Sequence, residues 1–285
     1  MPKRALSQAQ HLARQATCFA SGALINAVCL TLTTSVWAQQ SVPAPDFSSN
    51  QVGWVATGDL IGVPGSPPLV SNDPLHPYVP NGGGKQPTYR IADLSNPNLK
   101  PWVKELMKRD NDEVLAGKIG FTPRSSCMPA GVPGFLTYPV RPVYFLQTPK
   151  QVLIIYSGDA QVRRVYLGVS HSENLKPSWY GESVGNYEGD TLVVDTIGMN
   201  DKTFVDNYRT PHTDKLHVVE RWKLIDDGKT MEVNIRVEDP VSFYAPWSAI
   251  KRYRRVQEPM FEEVCAENNT ALFNYHTPFA DKPDF

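Results

Sequence analysis

The feature that most constrains this chain lies between Gln151 and Val256, where short β-branched runs recur and are separated by turn signals. Thr230–Glu238 shows the pattern most clearly: Met231, Val233, Ile235 and Val237 alternate with Glu232, Asn234, Arg236 and Glu238. A period of two sends the apolar set to one face and the polar set to the other, so this segment reads as a strand buried on one side. The same reading gives strands at Gln151–Ser157, Val162–Leu167, Asp190–Ile197, Leu216–Ile225 and Ala249–Val256. Gly158-Asp159 is a hairpin signal for the first pair, and Asp226-Asp227-Gly228 turns the strand ending at Ile225 into the next. Six or more antiparallel strands with almost no helix between them must curl into a barrel or stack as a sandwich to hide their edges. The expected fold is therefore mainly β: a lipocalin-like antiparallel barrel, with a sandwich as second choice.

The chain ahead of the strands divides by composition. Residues 1–38 carry Lys3, Arg4 and Arg14, then an apolar stretch from Phe19 to Leu32, then Val36-Trp37-Ala38, which predicts a secretory signal cleaved before Gln39. That stretch is interrupted by Asn26 and several Thr, and it is short against the ~20 apolar residues of a membrane span, so no span is expected after cleavage. Residues 39–98, rich in Pro, Gly, Ser and Asn, read as an extended arm. Residues 99–285 read as one domain opening with a helix from Pro101 to Ala116, stopped by Gly117. A periplasmic or extracellular location follows. There, Cys127 and Cys265 read as one disulfide, the other reading being a reactive thiol at Cys127. The balance of 28 Lys+Arg against 29 Asp+Glu, with three of the basic residues in the leader, argues against a nucleic-acid partner.

Strand phase sorts the residues that could carry chemistry. On Leu216–Leu224, Glu220 points with Leu216, Val218, Trp222 and Leu224. A carboxylate among apolar side chains must be paired or protonated, and either state suits a general acid/base in a barrel interior. The other reading is a buried ion pair with Arg163, Arg252 or Arg254. His171, His212 and His217 supply imidazoles for proton transfer, but no pair has the spacing of a metal motif, so neither a metal nor a cofactor is expected. Gly181-Glu182-Ser183-Val184-Gly185 matches the letters of a nucleophile elbow, with Asp195 and His212 or His217 following in order. Its context does not match, because Lys176–Tyr180 is no apolar strand and Thr191–Ile197 is no helix. Trp179, Tyr180, Tyr187, Trp222, Phe243, Tyr244 and Trp247 are either core rings or the lining of a ligand cavity.

Several tracts combine into a resemblance: Cys127–Pro133, Gln147-Thr148-Pro149 into Val152–Tyr156, Arg163–Tyr166, Trp179–Gly185, Tyr187–Thr196, Pro211–Thr213, Leu216–Arg221, Glu238–Pro240 and Cys265–Asn269. Together they span roughly residues 120–270 and resemble a family of uncharacterised exported bacterial proteins. The resemblance implies a shared exported fold and carries no activity with it. Its members usually carry His between Gly181 and Ser183 and Trp before Glu188, where this chain has Glu182 and Tyr187.

These readings converge on a barrel that acts on a small, apolar or aromatic molecule by acid/base chemistry, as a lyase, isomerase or hydrolase does. Glu220 leads, His212, His217 and Tyr180 assist, and Arg221 stabilises negative charge; Trp179, Trp222, Trp247, Arg163 and His171 form the substrate site. The alternatives are a binding or carrier protein without turnover and a serine hydrolase built on Ser183.

Overall fold

A computed structural model of the chain describes residues 44–48, 53–79, 89–137, 141–157, 161–260, 262 and 264–265. The predicted leader and the Gly158-Asp159 turn lie outside the described residues.

Within them, β1 (Gly53–Ala56), β3 (Val143–Gln147), β4 (Gln151–Tyr156), β5 (Gln161–Leu167), β6 (Glu182–Glu188), β7 (Thr191–Ile197), β8 (His217–Ile225), β9 (Thr230–Glu238) and β10 (Trp247–Val256) form one sheet in that order. Pairing of β1 with both β3 and β10 closes it into a nine-stranded barrel, and the short β2 (Ile61–Gly62) adds to β10. Closure leaves no unpaired edge within the ring.

Two expectations change here. The all-antiparallel barrel becomes a mixed one, because β5 and β6 run parallel, with Val165 beside Ser183 and Leu167 beside Gly185. Parallel neighbours need a long return connection, and segment 168–181 provides it. The second change concerns the extended arm: its residues 53–56 are the closing strand, with Trp54 fully buried and opposite Val143. Four residues were too few to show a period in the sequence.

Alternation then fills the interior. Val152, Ile154, Val165, Leu192, Val194, Val218, Trp222, Met231, Val233, Ile235, Val237, Ala249 and Tyr253 all face inward and are buried. Asp226, Asp227 and Gly228, all at positive φ, make the tight β8–β9 turn. Helix α1 (Pro101–Leu115) starts on proline and buries Val103 and Met107, while Leu115 is exposed. Asn111 on the same face ties it to the arm, its side chain bonding both the N–H and the carbonyl of Ala92 at 3.0 Å. A second short helix, α2 (Gly134–Thr137), is buried along its length.

Among the described residues no helix is long and apolar enough to cross a membrane. Cys127 and Cys265 are disulfide-bonded across a sequence separation of 138, with Cα atoms 5.5 Å apart. Closing a loop of that length removes roughly 5 kcal/mol of unfolded-chain entropy. We therefore expect Cys127→Ser/Cys265→Ser to lower the unfolding free energy by about 2–5 kcal/mol in a denaturant titration. An unchanged midpoint would show that the bridge does not constrain the unfolded chain.

Candidate functional site

The residues singled out in the sequence separate into three places, and only one of those is inside the barrel. Glu220 does point inward and is fully buried, as its phase requires. Both of its carboxylate oxygens accept from Arg163 of β5, Nη1–H to Oε1 at 3.0 Å and Nη2–H to Oε2 at 2.6 Å. The same guanidinium donates to Ser183 Oγ at 3.0 Å and Thr196 Oγ1 at 2.7 Å, and the Phe135 ring of α2 lies 5.2 Å from its Cζ. Four strands thus contribute one polar group each to a closed interior cluster. A buried fork-on-fork pair whose guanidinium also binds two hydroxyls has the form of a structural device.

Ser183 belongs to that cluster, with 2% of its surface exposed and its Oγ bonded to Arg163 Nε–H and Thr196 Oγ1. The glycines around it are explained by packing. Gly181 sits at φ +62°, and a Cβ there would overlap the Ile197 carbonyl oxygen; a Cβ at Gly185 would stand 2.8 Å from Val193 O. Trp222 also lies in the core, with its ring centroid 5.4 Å from that of Phe145 and 6.4 Å from that of Tyr253, so it does not line a cavity wall.

The second place is the outer wall of β6, β7 and β8. Asp195 is its centre: His171 Nε2 lies 2.9 Å from Oδ1, and His217 Nε2 lies 3.0 Å from Oδ2. The β5–β6 return carries His171 there, and its Nδ1 is 3.1 Å from Glu182 Oε1. Both contacts of His171 are hydrogen bonds only when the ring carries two N–H groups. Glu182 also accepts from the Ser172 N–H and hydroxyl, which hold its carboxyl below the usual range, with His171 adding to the effect. The hydrogen bond that His217 donates to Asp195 raises the affinity of His217 for its proton, against a smaller opposing effect of burial. The same bond lowers the proton affinity of Asp195. His212 is apart from these: buried, it sits between Thr203 Oγ1 at 2.7 Å and the Thr213 carbonyl at 2.9 Å, and burial lowers its pKa, so it packs as a neutral ring. Arg221 pairs with Glu188 on the exposed face. Tyr180 is half-buried against Phe135 and borders a polar groove of about 390 Å³ with Arg164, Lys176, Ser172 and Glu182, while Trp179 is half-buried earlier on the same return. Among the described residues no three His, Cys, Asp or Glu side chains are arranged to hold a metal.

The third place is a cavity of about 270 Å³ beside the end of the barrel where β10 begins. Leu60, Leu69, Val70, Leu99, Phe243 and Trp247 form its apolar walls, with the Phe243 and Trp247 rings edge to face at 6.2 Å. Arg90, Asp59, Asn207 and Tyr208 supply its polar side. Of the rings that the sequence offered as cavity lining, Phe243 and Trp247 are here. Arg90 and Tyr208 are 118 residues apart in sequence and meet only in the folded chain, so no local signal joins them.

No protein-family model, curated protein or solved structure matches this chain.

Two outcomes follow from this geometry. Glu220→Ala or Arg163→Ala strands a buried charge and should cost about 3–5 kcal/mol of stability, whereas Arg163→Met/Glu220→Leu should recover most of it. Equal losses in the single and double variants would mean the pair is not the unit described. His217 has a raised folded-state pKa, so its stabilisation is complete below the unfolded value of about 6.5 and is lost as pH rises through the folded value. His217→Gln should accordingly flatten the decline in urea midpoint above about pH 6.5; a decline identical to wild type would detach His217 from it.

Proposed function

We propose that this chain is an exported small-molecule-binding protein whose ligand sits in the cavity walled by Leu60, Leu69, Leu99, Phe243 and Trp247. The observation that carries the reading is the combination of a partly open, largely apolar cavity with a few convergent polar groups, which is the usual form of a ligand site. The use is lipocalin-like in the sense that a closed barrel presents a ligand at one end. The predicted leader, the disulfide and the resemblance to exported bacterial proteins support an extracytoplasmic setting.

This choice moves function away from Glu220. The polar groups around Glu220 bond to one another, Arg163 reaching Glu220, Ser183 and Thr196. Binding at the barrel end therefore leaves the barrel undisturbed.

One observation favours a second reading, acid/base catalysis on the outer wall. Asp195 orients two imidazoles at once, and among the described residues His217 Nδ1 has no partner, which is the arrangement of a carboxylate-oriented general base. A lyase or isomerase working there by proton abstraction at carbon would wash solvent deuterium into its substrate.

Both readings meet one experiment. The purified protein is incubated with a small-molecule extract in deuterated water, and both bound and free fractions are analysed by mass spectrometry. We expect a retained small molecule that raises the melting temperature of wild type but not of Ser71→Trp, which fills the cavity mouth. Deuterium uptake that requires His217, with nothing retained, would replace the binding reading with the catalytic one.

A further inference from the structure

The cavity walls alone would accept any apolar molecule of the right size. Its polar side is more selective. Arg90 reaches it with a side chain only 17% exposed, held between two rings: its Cζ lies 4.5 Å from the Tyr78 centroid and 5.5 Å from the Tyr208 centroid. Two of its arms have partners among the described residues: Nη1–H reaches Tyr208 Oη at 3.3 Å and Nη2–H reaches Asp59 Oδ1 at 2.9 Å. A guanidinium has five donors, so most remain unspent. Asp59 is a weak competitor, being 66% exposed, and an exposed ion pair contributes little.

The surrounding charges favour the same sign of ligand. Lys251 is buried nearby on the inner face of β10, with Nζ donating to Gly58 O at 2.7 Å. Electrostatic coupling to Asp59 and Arg90 places it in the same local field. The other carboxylate of the lining, Asp206, is committed to the Thr210 hydroxyl and N–H and the Tyr208 N–H. Asn96 and Asn98 are likewise spent on backbone partners, Pro68 O for one and Ala245 for the other. Asn207 is the exception: its side-chain oxygen is buried and, among the described residues, accepts no hydrogen bond. A buried acceptor left unpaired is costly, and a ligand donor would relieve it.

We infer that the ligand is an aromatic or alicyclic molecule bearing one anionic group, with the ring system against Trp247, Phe243 and Leu69, the anion on Arg90, and a hydroxyl or amine donor at Asn207. This rests on the binding reading above. It adds the charge of the ligand, its single sign and the end of the cavity at which it sits. The flat guanidinium fork, close to the Tyr78 and Tyr208 rings, suits a carboxylate or the oxygens of a sulfonate.

Two fluorescent probes separate the inference from its premise. 1-Anilinonaphthalene-8-sulfonate and N-phenyl-1-naphthylamine share one ring skeleton, and only the first carries an anion. Titrated into the wild-type protein, both should bind, with the sulfonate favoured about tenfold, the size of one charge-assisted hydrogen bond. That preference should shrink as salt rises. Arg90→Gln should remove the preference by weakening the sulfonate probe alone, and Ser71→Trp should block both. Equal binding of the two probes at low salt, unchanged in Arg90→Gln, would overturn the anionic ligand and leave the cavity reading intact. Binding of both probes that survives Ser71→Trp would overturn the cavity reading itself. Should Arg90→Gln fail to fold, the salt dependence of the wild-type preference decides the matter without a variant.

Discussion

The structure depends on a bidentate ion pair buried inside a closed barrel. Arg163 and Glu220 sit on β5 and β8, separated by β6 and β7, and each intervening strand contributes a hydroxyl, from Ser183 and Thr196. A barrel with a parallel β5–β6 pair needs something to fix that junction, because the pairing spans only three register positions. A guanidinium with donors directed at three neighbouring strands specifies the register more narrowly than apolar side chains do, since a slip of one residue would turn every partner outward. Such pairs are weak contributors to net stability, and specification of one arrangement is the role this geometry supports.

That same interaction determines where chemistry is excluded. The Glu220 carboxylate, fully buried and bonded through both oxygens to Arg163, is poorly placed to take a proton from a substrate. Polar function moves outward to two places with opposite characters. The outer wall holds imidazoles and carboxylates in a solvated chain around Asp195, and the barrel end holds an apolar cavity with a cation. They differ in what they do to a ligand: the cavity removes water from it, and the wall leaves it wet. Affinity for a small apolar molecule comes from desolvation, which is why the proposed binding site is the cavity.

Much of the barrel was legible because its strands are long and half-buried. The Thr230–Glu238 strand was recovered to the residue, and the inward phase of Glu220, Trp222 and Val218 followed from the period alone. What could not be read depends on distance in sequence. Trp54 closes the ring from a four-residue strand inside a Pro- and Gly-rich arm, and β6 is polar enough, with Glu182, Asn186 and Glu188, to pass for a loop. Its parallel direction is set by the return through Gly181, which no local pattern encodes. Site residues divide the same way: the inward carboxylate was visible from phase, and its partner was one of three arginines until the fold selected Arg163. Arg90, Tyr208 and Asn207 had no signal, since neither the arm nor the 206–208 loop carries a period that would point them at one another.

The central claim is that the barrel interior is a fixed scaffold and that ligand binding is confined to its β10 end. Hydrogen–deuterium exchange with and without the anionic naphthalene probe tests this most directly. Peptides covering residues 59–71, 206–208 and 243–247 should gain protection while β5 through β8 exchange at unchanged rates. Protection appearing instead across β5–β8, around Arg163 and Glu220, would contradict the account.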